Sequence, residues 1–358
     1  TIMMSTFTLP MKEQVYKQFN WFGSSKTPEQ IEKQIQVIGS TLGRILASDY
    51  NRFDGSVSKF LQNRILRDTM MTLAKHEDRE ILDWLFQQLF KRKSITSEGL
   101  RYDPGFGTRS GSPVTTDGNT LFNGFVSYCV LRELSYPPEL AWEWLCKWAV
   151  KCGDDGVEKF ENGADLVYSY VCRDLGLKVK VDVFEPGQAI PYCGRIFVNP
   201  AVTGASFCDP IRTLSKLHIT VNTGVEKYQA LYNKAFGYWV TDRNTPIIGA
   251  WCARALLECE KNGITAVKGA LGEEEYKINS PWNQDARQMI TEEFLAITGL
   301  TGQDLTGIEL VLQDADLDNL DLGLAFDQEH KMEAVVDGEI ITPTNRKCLE
   351  TITETNSK

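Results

Sequence analysis

The stretch Trp148-Ala149-Val150-Lys151-Cys152-Gly153-Asp154-Asp155-Gly156-Val157 constrains the fold more than any other part of the chain. An apolar run enters a glycine, two carboxylates follow, and Val157 to Phe160 can return as a second strand. The spacing therefore predicts a β-hairpin with glycine in its turn. Neighbouring aspartates repel each other. On a solvated loop that costs little, but at the end of a buried strand it calls for a counter-charge, and a divalent cation is the usual one.

A second carboxylate turn lies upstream, in Ser48-Asp49-Tyr50-Asn51-Arg52-Phe53-Asp54-Gly55-Ser56. Ile45-Leu46-Ala47 before it reads as a short buried strand. From Ser56 the apolar positions Val57, Phe60, Leu61, Ile65, Leu66 and Met70 recur at helical spacing. If the strand pairs beside the hairpin, Asp49 and Asp154 come close enough to bridge metal ions. Oxygen ligands with only three histidines in the chain (His76, His218, His330) suit magnesium or manganese rather than zinc. Two such ions about 3.5–4 Å apart serve phosphoryl transfer. The nine cysteines are scattered without paired spacing and read as free thiols in a reducing compartment. A net charge of −10 argues against a basic coat for nucleic acid, though it leaves room for a local basic channel.

A third element follows the glycine-rich loop Asp103–Pro113. Ser112 is a natural helix cap and Pro113 a natural first-turn residue for the helical stretch beyond it. Thr115 and Asn119 are four apart and share one helix face. Asp54 and Asn119 could jointly hydrogen-bond a ribose 2′-hydroxyl, with Ser110 and Gly111 in the loop just upstream. Such a site rejects the analogue lacking the hydroxyl by up to about 10⁴ when its groups are fully buried, and by much less when water reaches them.

The rest of the chain is consistent with an α+β protein. Thr27-Pro28-Glu29 starts a helix, residues 77–90 form another, Pro137-Pro138 opens one more, and 163–175 is helical. The run 177–183 alternates as a strand, with Val179, Val181 and Val183 on one face and Lys178 and Lys180 on the other. Ile190 to Val198 reads as a short strand pair. Helices are expected at 208–218, 225–236, 246–261 and 283–298, then an acidic tail from 303. The basic run Lys91-Arg92-Lys93 is either a favourable helix C-terminal charge or an RNA-backbone contact. Asp314 to Asp321 starts like a calcium loop, but Asn319 and Ala325 stand where that loop needs glycine and glutamate, so a solvated acidic segment is expected. Trp142, Trp144 and Trp148 are expected to pack beside the hairpin rather than stack on bases. No apolar stretch is long enough to span a bilayer and no signal peptide is evident. A start without Met fits a processed product or an excised piece.

Taken together, Ser48–Asp54 resembles motif A of viral RNA-dependent RNA polymerases, Ser110–Asn119 fits their motif B pattern S-G-x-x-x-T-x-x-x-N, and Cys152–Asp155 looks like motif C. The three occur in the family's order. The flanking residues are most similar to nodavirus-type enzymes of positive-strand RNA viruses, with tombusvirus-like enzymes as near relatives. The resemblance is firm over about 45–200 and thin beyond 220. It implies a right-hand polymerase with an antiparallel-sheet palm, partial fingers and a mostly helical thumb. The implied divisions are a fingers remnant at 1–44, a palm at 45–204 with a fingers insertion at about 74–108, a thumb at 205–302 and an acidic tail at 303–358.

By the same resemblance Asp49 and Asp154, assisted by Asp155, would hold two Mg²⁺ or Mn²⁺ ions. Asp54, Ser110, Gly111, Thr115 and Asn119 would recognise the ribose of the incoming nucleotide. Lys180, or else Lys178, would be the general acid of motif D, and Ile190–Arg195 would be motif E, supporting the primer end. The implied partners are RNA template, nascent strand and nucleoside triphosphates. Self-association and a host membrane in the cytoplasm would be reached through regions upstream of this chain. Only 48 residues precede Asp49, without a Lys/Arg cluster that could contact a triphosphate, which points to a C-terminal part of a larger replicase. The rivals are a reverse transcriptase and a non-catalytic lobe of a replicase. Against the first, Cys152 stands where an aromatic is usual and Asp54 where an aromatic gate is usual.

Overall fold

The computed structural model describes residues 1–41, 43–91, 93–95, 99–217, 219, 224–264 and 280–324, and the strands Ala334–Val336 and Glu339–Ile341. The chain opens with α1 (Ile2–Gln14) and α2 (Pro28–Gly39). Thr27 and Gln30 close a reciprocal capping box on α2, and Pro28 occupies its first turn. Both features satisfy or avoid the orphan N–H groups of a helix start. Ile31, Ile35 and Ile38 then fall on one buried face.

Strand β1 (Ile45–Tyr50) follows, then a short helix α3 (Phe53–Ser56) and a π-helical stretch (Leu61–Arg67) that runs into α4 (Asp68–Leu73). The sequence predicts one regular helix from Ser56. The structure instead leaves the helix at Val57 and widens its turns over Leu61–Arg67. Leu61 and Leu66 both stay buried. Next come α5 (Arg79–Lys91), the small ribbon β2 (Ser94–Ile95) and β3 (Arg101–Tyr102), and the long helix α6 (Thr115–Glu133). Side chains of the run Lys91-Arg92-Lys93 fall largely outside the described residues. Helix α6 begins two residues later than Pro113 suggests, with Val114 at its cap position and no side-chain cap.

Helix α7 (Pro138–Trp148) leads into the hairpin β4 (Ala149–Cys152) and β5 (Asp155–Lys159). Helix α8 (Ala164–Leu175) and β6 (Val179–Phe184) complete the main sheet, whose order β4-β5-β1-β6 is antiparallel throughout. A smaller sheet joins β7 (Ile190–Tyr192), β8 (Arg195–Phe197) and β9 (Ser206–Cys208). The third of these strands takes the residues from which the expected 208–218 helix would start, so α9 spans only Pro210–Leu214, capped by Asp209. Helices α10 (Lys227–Asp242), α11 (Ile248–Lys261), α12 (Arg287–Thr298) and α13 (Gly302–Gln313) follow, then β10 (Ala334–Val336) and β11 (Glu339–Ile341).

Strand β1 is covered on both faces. Leu46 and Tyr50 pack with Phe122, Val126 and Tyr168 of α6 and α8. Ile45 and Ala47 pack with Ile31, Ile35 and Ile38 of α2 and with Ile190 and Phe197 of the smaller sheet. A separate core gathers Phe207, Ala235, Ile248, Trp251, Ile290, Phe294 and Leu312. Of the three tryptophans near the hairpin, Trp144 is buried, whereas Trp142 is 41% exposed and lies edge-on to Phe19 and Trp21. The described cysteines carry free thiols; Cys172, Cys208, Cys252 and Cys259 are buried and the other four half-buried.

Candidate active site

The hairpin and β1 lie side by side, with Ser48 opposite Gly156 and Ala47 opposite Val157. On the other flank β6 sets Lys180 directly across from Asp49. The link between β4 and β5 is the pair Gly153-Asp154, since Cys152 pairs with Asp155. Gly153 has φ +62° while Asp154 stays at negative φ, the φ signature of a type II′ hairpin turn, which wants glycine first. This register brings Asp49, Asp154 and Asp155 to one end of the sheet.

Their electrostatics record the proximity. Burial, then the Asp154 and Asp49 charges, push Asp155 up to about 6, against a backbone hydrogen bond from Cys193 and the Arg212 guanidinium. Burial, then Asp154, raises Asp49, while Lys180 opposes the rise. No side-chain cation sits in ion-pair contact with Asp49, Asp154 or Asp155 among the described residues. The nearest of them, Lys180, is 73% exposed and is paired with Asp182 at 2.8 Å. Three oxygen donors with raised proton affinity and no direct counter-ion fit hard divalent cations. No ready-made cluster of three ligands around one point occurs among the described residues, so the donors are gathered but not closed into a coordination sphere.

The ribose-reading candidates form one connected group. Asn119 Nδ2 donates to Asp54 Oδ1 at 2.6 Å, and Ser110 Oγ donates to Asp54 Oδ2 at 2.6 Å. Thr108 Oγ1 donates to Asn119 Oδ1 at 3.1 Å. Asn119 is buried, Asp54 half-buried and Ser110 exposed, so the cluster opens toward solvent at one end. Gly111, at φ +82°, turns the loop beside it. Thr115 Oγ1 donates to Arg109 O at 2.7 Å, so its hydrogen fastens the loop to the helix start while its lone pairs stay available. Sequence spacing thus locates Asp49, Asp154, Asp155, Lys180, Asp54, Ser110, Gly111, Thr115 and Asn119 in two adjoining groups.

Several residues of the site were not foreseen. Asn123, one helical turn beyond Asn119, donates its amide to the carbonyls of Gly153, Asp154 and Asp155 at 3.2, 3.1 and 3.1 Å. Its Oδ1 accepts from Tyr50 Oη at 3.3 Å. Thr120 Oγ1 accepts from the Gly153 N–H at 2.9 Å. The signal was present as polar residues 115, 119 and 123 recurring every four positions in an otherwise apolar helix. Beneath the turn, Lys151 is fully buried and pairs with Glu158 at 2.8 Å. Glu158 also accepts from Ser127 at 2.7 Å and from Tyr168 at 2.8 Å. No sequence pattern announces that pair, because a strand lysine is ordinarily solvated.

Comparison with known proteins agrees with this arrangement. The sequence pattern of the viral RNA-dependent RNA polymerase family matches residues 2–212. The RNA-directed RNA polymerase of Pariacoto virus is 40% identical over 97% of this chain and 35% of its own length. That of Pieris rapae virus is 33% identical over 95% and 33%, and that of Nodamura virus 29% over 88% and 29%. The chain therefore spans about a third of the length of these relatives. A crystal structure of the RNA-dependent RNA polymerase of a human picobirnavirus superposes with a TM-score of 0.56 at 14% identity, covering 83% of this chain and 58% of that one. The likeness fixes an α+β polymerase fold. With more than half its residues matching the family pattern, the strand-borne aspartates included, this chain is a member of the viral RNA-dependent RNA polymerases.

Proposed function

We propose that the chain carries the catalytic centre for template-directed RNA synthesis, adding nucleoside monophosphates from NTPs to an RNA 3′-hydroxyl in the replication of a positive-strand RNA virus. The observation that carries this reading is the convergence of Asp49 with the Gly153-Asp154-Asp155 turn beside the Asp54–Asn119 cluster. Asp49 and Asp154, with Asp155 assisting, would hold two Mg²⁺ or Mn²⁺ ions, which supply charge neutralisation for the attacking and leaving oxygens. Asp54 and Asn119 orient the ribose, with Ser110 opening the cluster to the incoming nucleotide. Lys180, exposed and across from Asp49, is the candidate proton donor to pyrophosphate.

In this reading residues 45–204 are the palm, with a fingers insertion at about 74–108 and further fingers at 1–44. Residues 205–302 are the thumb and 303–358 an acidic tail. RNA template and nascent strand are the partners. Membrane-associated compartments of the host cytoplasm are the setting, with self-association and anchoring supplied by regions upstream. Among the described residues no helix is long and apolar enough to cross a membrane.

The test is RNA synthesis on a primed RNA template with Mg²⁺ or Mn²⁺, by this chain and by the full-length replicase, each beside its Asp154→Asn variant. Synthesis by the unaltered protein and its loss in the variant, with the melting temperature unchanged, is the expected result. Undiminished synthesis by Asp154→Asn would sink the assignment.

A further inference from the structure

Helix α6 reaches the hairpin turn through two side chains that the reaction itself does not require. A two-residue turn carrying adjacent carboxylates is intrinsically poorly held. Its ladder ends at the Cys152–Asp155 pair, and repulsion between the carboxylates favours spreading. In this protein the three carbonyls from Gly153 to Asp155 converge on the single amide of Asn123, whose two hydrogens they share. The Gly153 N–H is taken by Thr120 Oγ1, which in turn donates to Thr116 O at 2.7 Å. Both Asn123 and Thr120 are completely buried. Asn123 also receives the Tyr50 hydroxyl, and Tyr50 is the strand neighbour of Asp49. One side chain thus touches both strands that bear the clustered carboxylates.

We propose that Asn123, seconded by Thr120, is a positioning residue that sets the geometry, and hence the cation affinity, of the Asp49–Asp154–Asp155 cluster. Asn119 on the same helix face holds Asp54 one turn earlier, so the ribose-reading carboxylate and the metal-holding turn are fastened to one rigid helix about 6 Å apart along its axis. Outer partners of this kind govern affinity because they fix the orientation of the groups that meet the ion. The inference rests on the polymerase reading for its purpose, but its physical content is cation binding by this turn.

The experiment measures Mn²⁺ binding, from the loss of the free-ion EPR signal, in wild type, Asn123→Leu, Thr120→Val and Asp154→Asn, with circular dichroism melts of each. Leu and Val keep nearly the shape of the residues they replace and remove the polar atoms. Asp154→Asn identifies the binding that belongs to the turn. Both positioning variants are expected to weaken that binding by about 10-fold or more, the effect of outer-partner changes at metal sites, while melting as wild type does. If Asn123→Leu fails to fold, Thr120→Val alone decides. Wild-type affinity in the folded variants overturns the proposal, and so does a wild-type protein with no Mn²⁺ binding sensitive to Asp154. Weakened binding in the variants combined with no RNA synthesis by wild type would uphold the positioning role and count against the polymerase reading.

Discussion

At the scale of single residues, the site divides by burial. Asn119 is buried and offers a fixed amide, Asp54 is half-buried, and Ser110 is exposed. A 2′-hydroxyl entering the open end meets a carboxylate whose two oxygens already accept from Asn119 and Ser110. Carboxylate oxygens carry spare lone pairs, so a further donor can be received without breaking either bond. Replacing Asp54 by Ala removes that acceptor and leaves Asn119 with an unpaired amide. The expected consequence is a drop in the preference for ribo- over deoxynucleotides of about 10–100-fold, well short of a sealed site because water reaches the cluster. The ratio of kcat/KM values for NTP and dNTP measures it, and an unchanged ratio would remove Asp54 from ribose recognition.

At the scale of elements, the hairpin depends on an ion pair that no exposed strand would need. Lys151 and Glu158 lie beside one another in the hairpin and are sealed beneath α6 and α8, where Ser127 and Tyr168 complete the hydrogen bonds of Glu158. Lys151→Met should lower the stability of the chain by about 3–5 kcal/mol, since it strands a buried carboxylate, whereas Lys151→Met with Glu158→Leu should recover much of the loss. Urea unfolding of the single and double variants checks this, and equal losses in both would mean that packing rather than charge decides. The same elements show what could be read in advance. Gly-Asp-Asp after an apolar run, Thr27-Pro28 before a periodic one and valines alternating along 179–183 are local rules, and the structure follows them at β4–β5, α2 and β6. What spacing could not supply was tertiary. The π-helical turns after Val57, the third strand at Ser206–Cys208 and the buried Lys151 exist because of partners distant in sequence. Asn123 lies between the two cases, visible as a polar period but without its partner until the hairpin is placed against α6.

At the scale of the whole molecule, the sheet with its helices and the C-terminal helices have separate cores, and much of what joins them is polar. Arg195 on β8 forms a buried pair with Asp242 on α10 at 2.9 Å, and Gln284 donates to Thr245 at 2.8 Å within the same cluster. Glu32 on α2 accepts from the Asn283 N–H at 2.6 Å, and Asn283 O in turn receives the Ser206 N–H. Burial pushes Glu32 from 4.5 up to about 7, with Glu29 and Asp285 adding to the rise and Asn283 and Arg195 opposing it. The folded state thus binds the Glu32 proton more tightly than the unfolded chain does. Its contribution to stability is full below about pH 4.5, declines as pH rises toward 7 and is gone above that, a difference on the order of 3 kcal/mol at most. Glutamine keeps the acceptor oxygen for Asn283 without the titration. Glu32→Gln should therefore melt close to wild type at pH 5 and several degrees above it at pH 8, the gap opening across the interval in which Glu32 loses its proton. A gap that does not vary with pH would mean that Glu32 is ionised in the folded protein throughout, and that the contact between α2 and the segment around Asn283 is held by charge rather than by a shared proton.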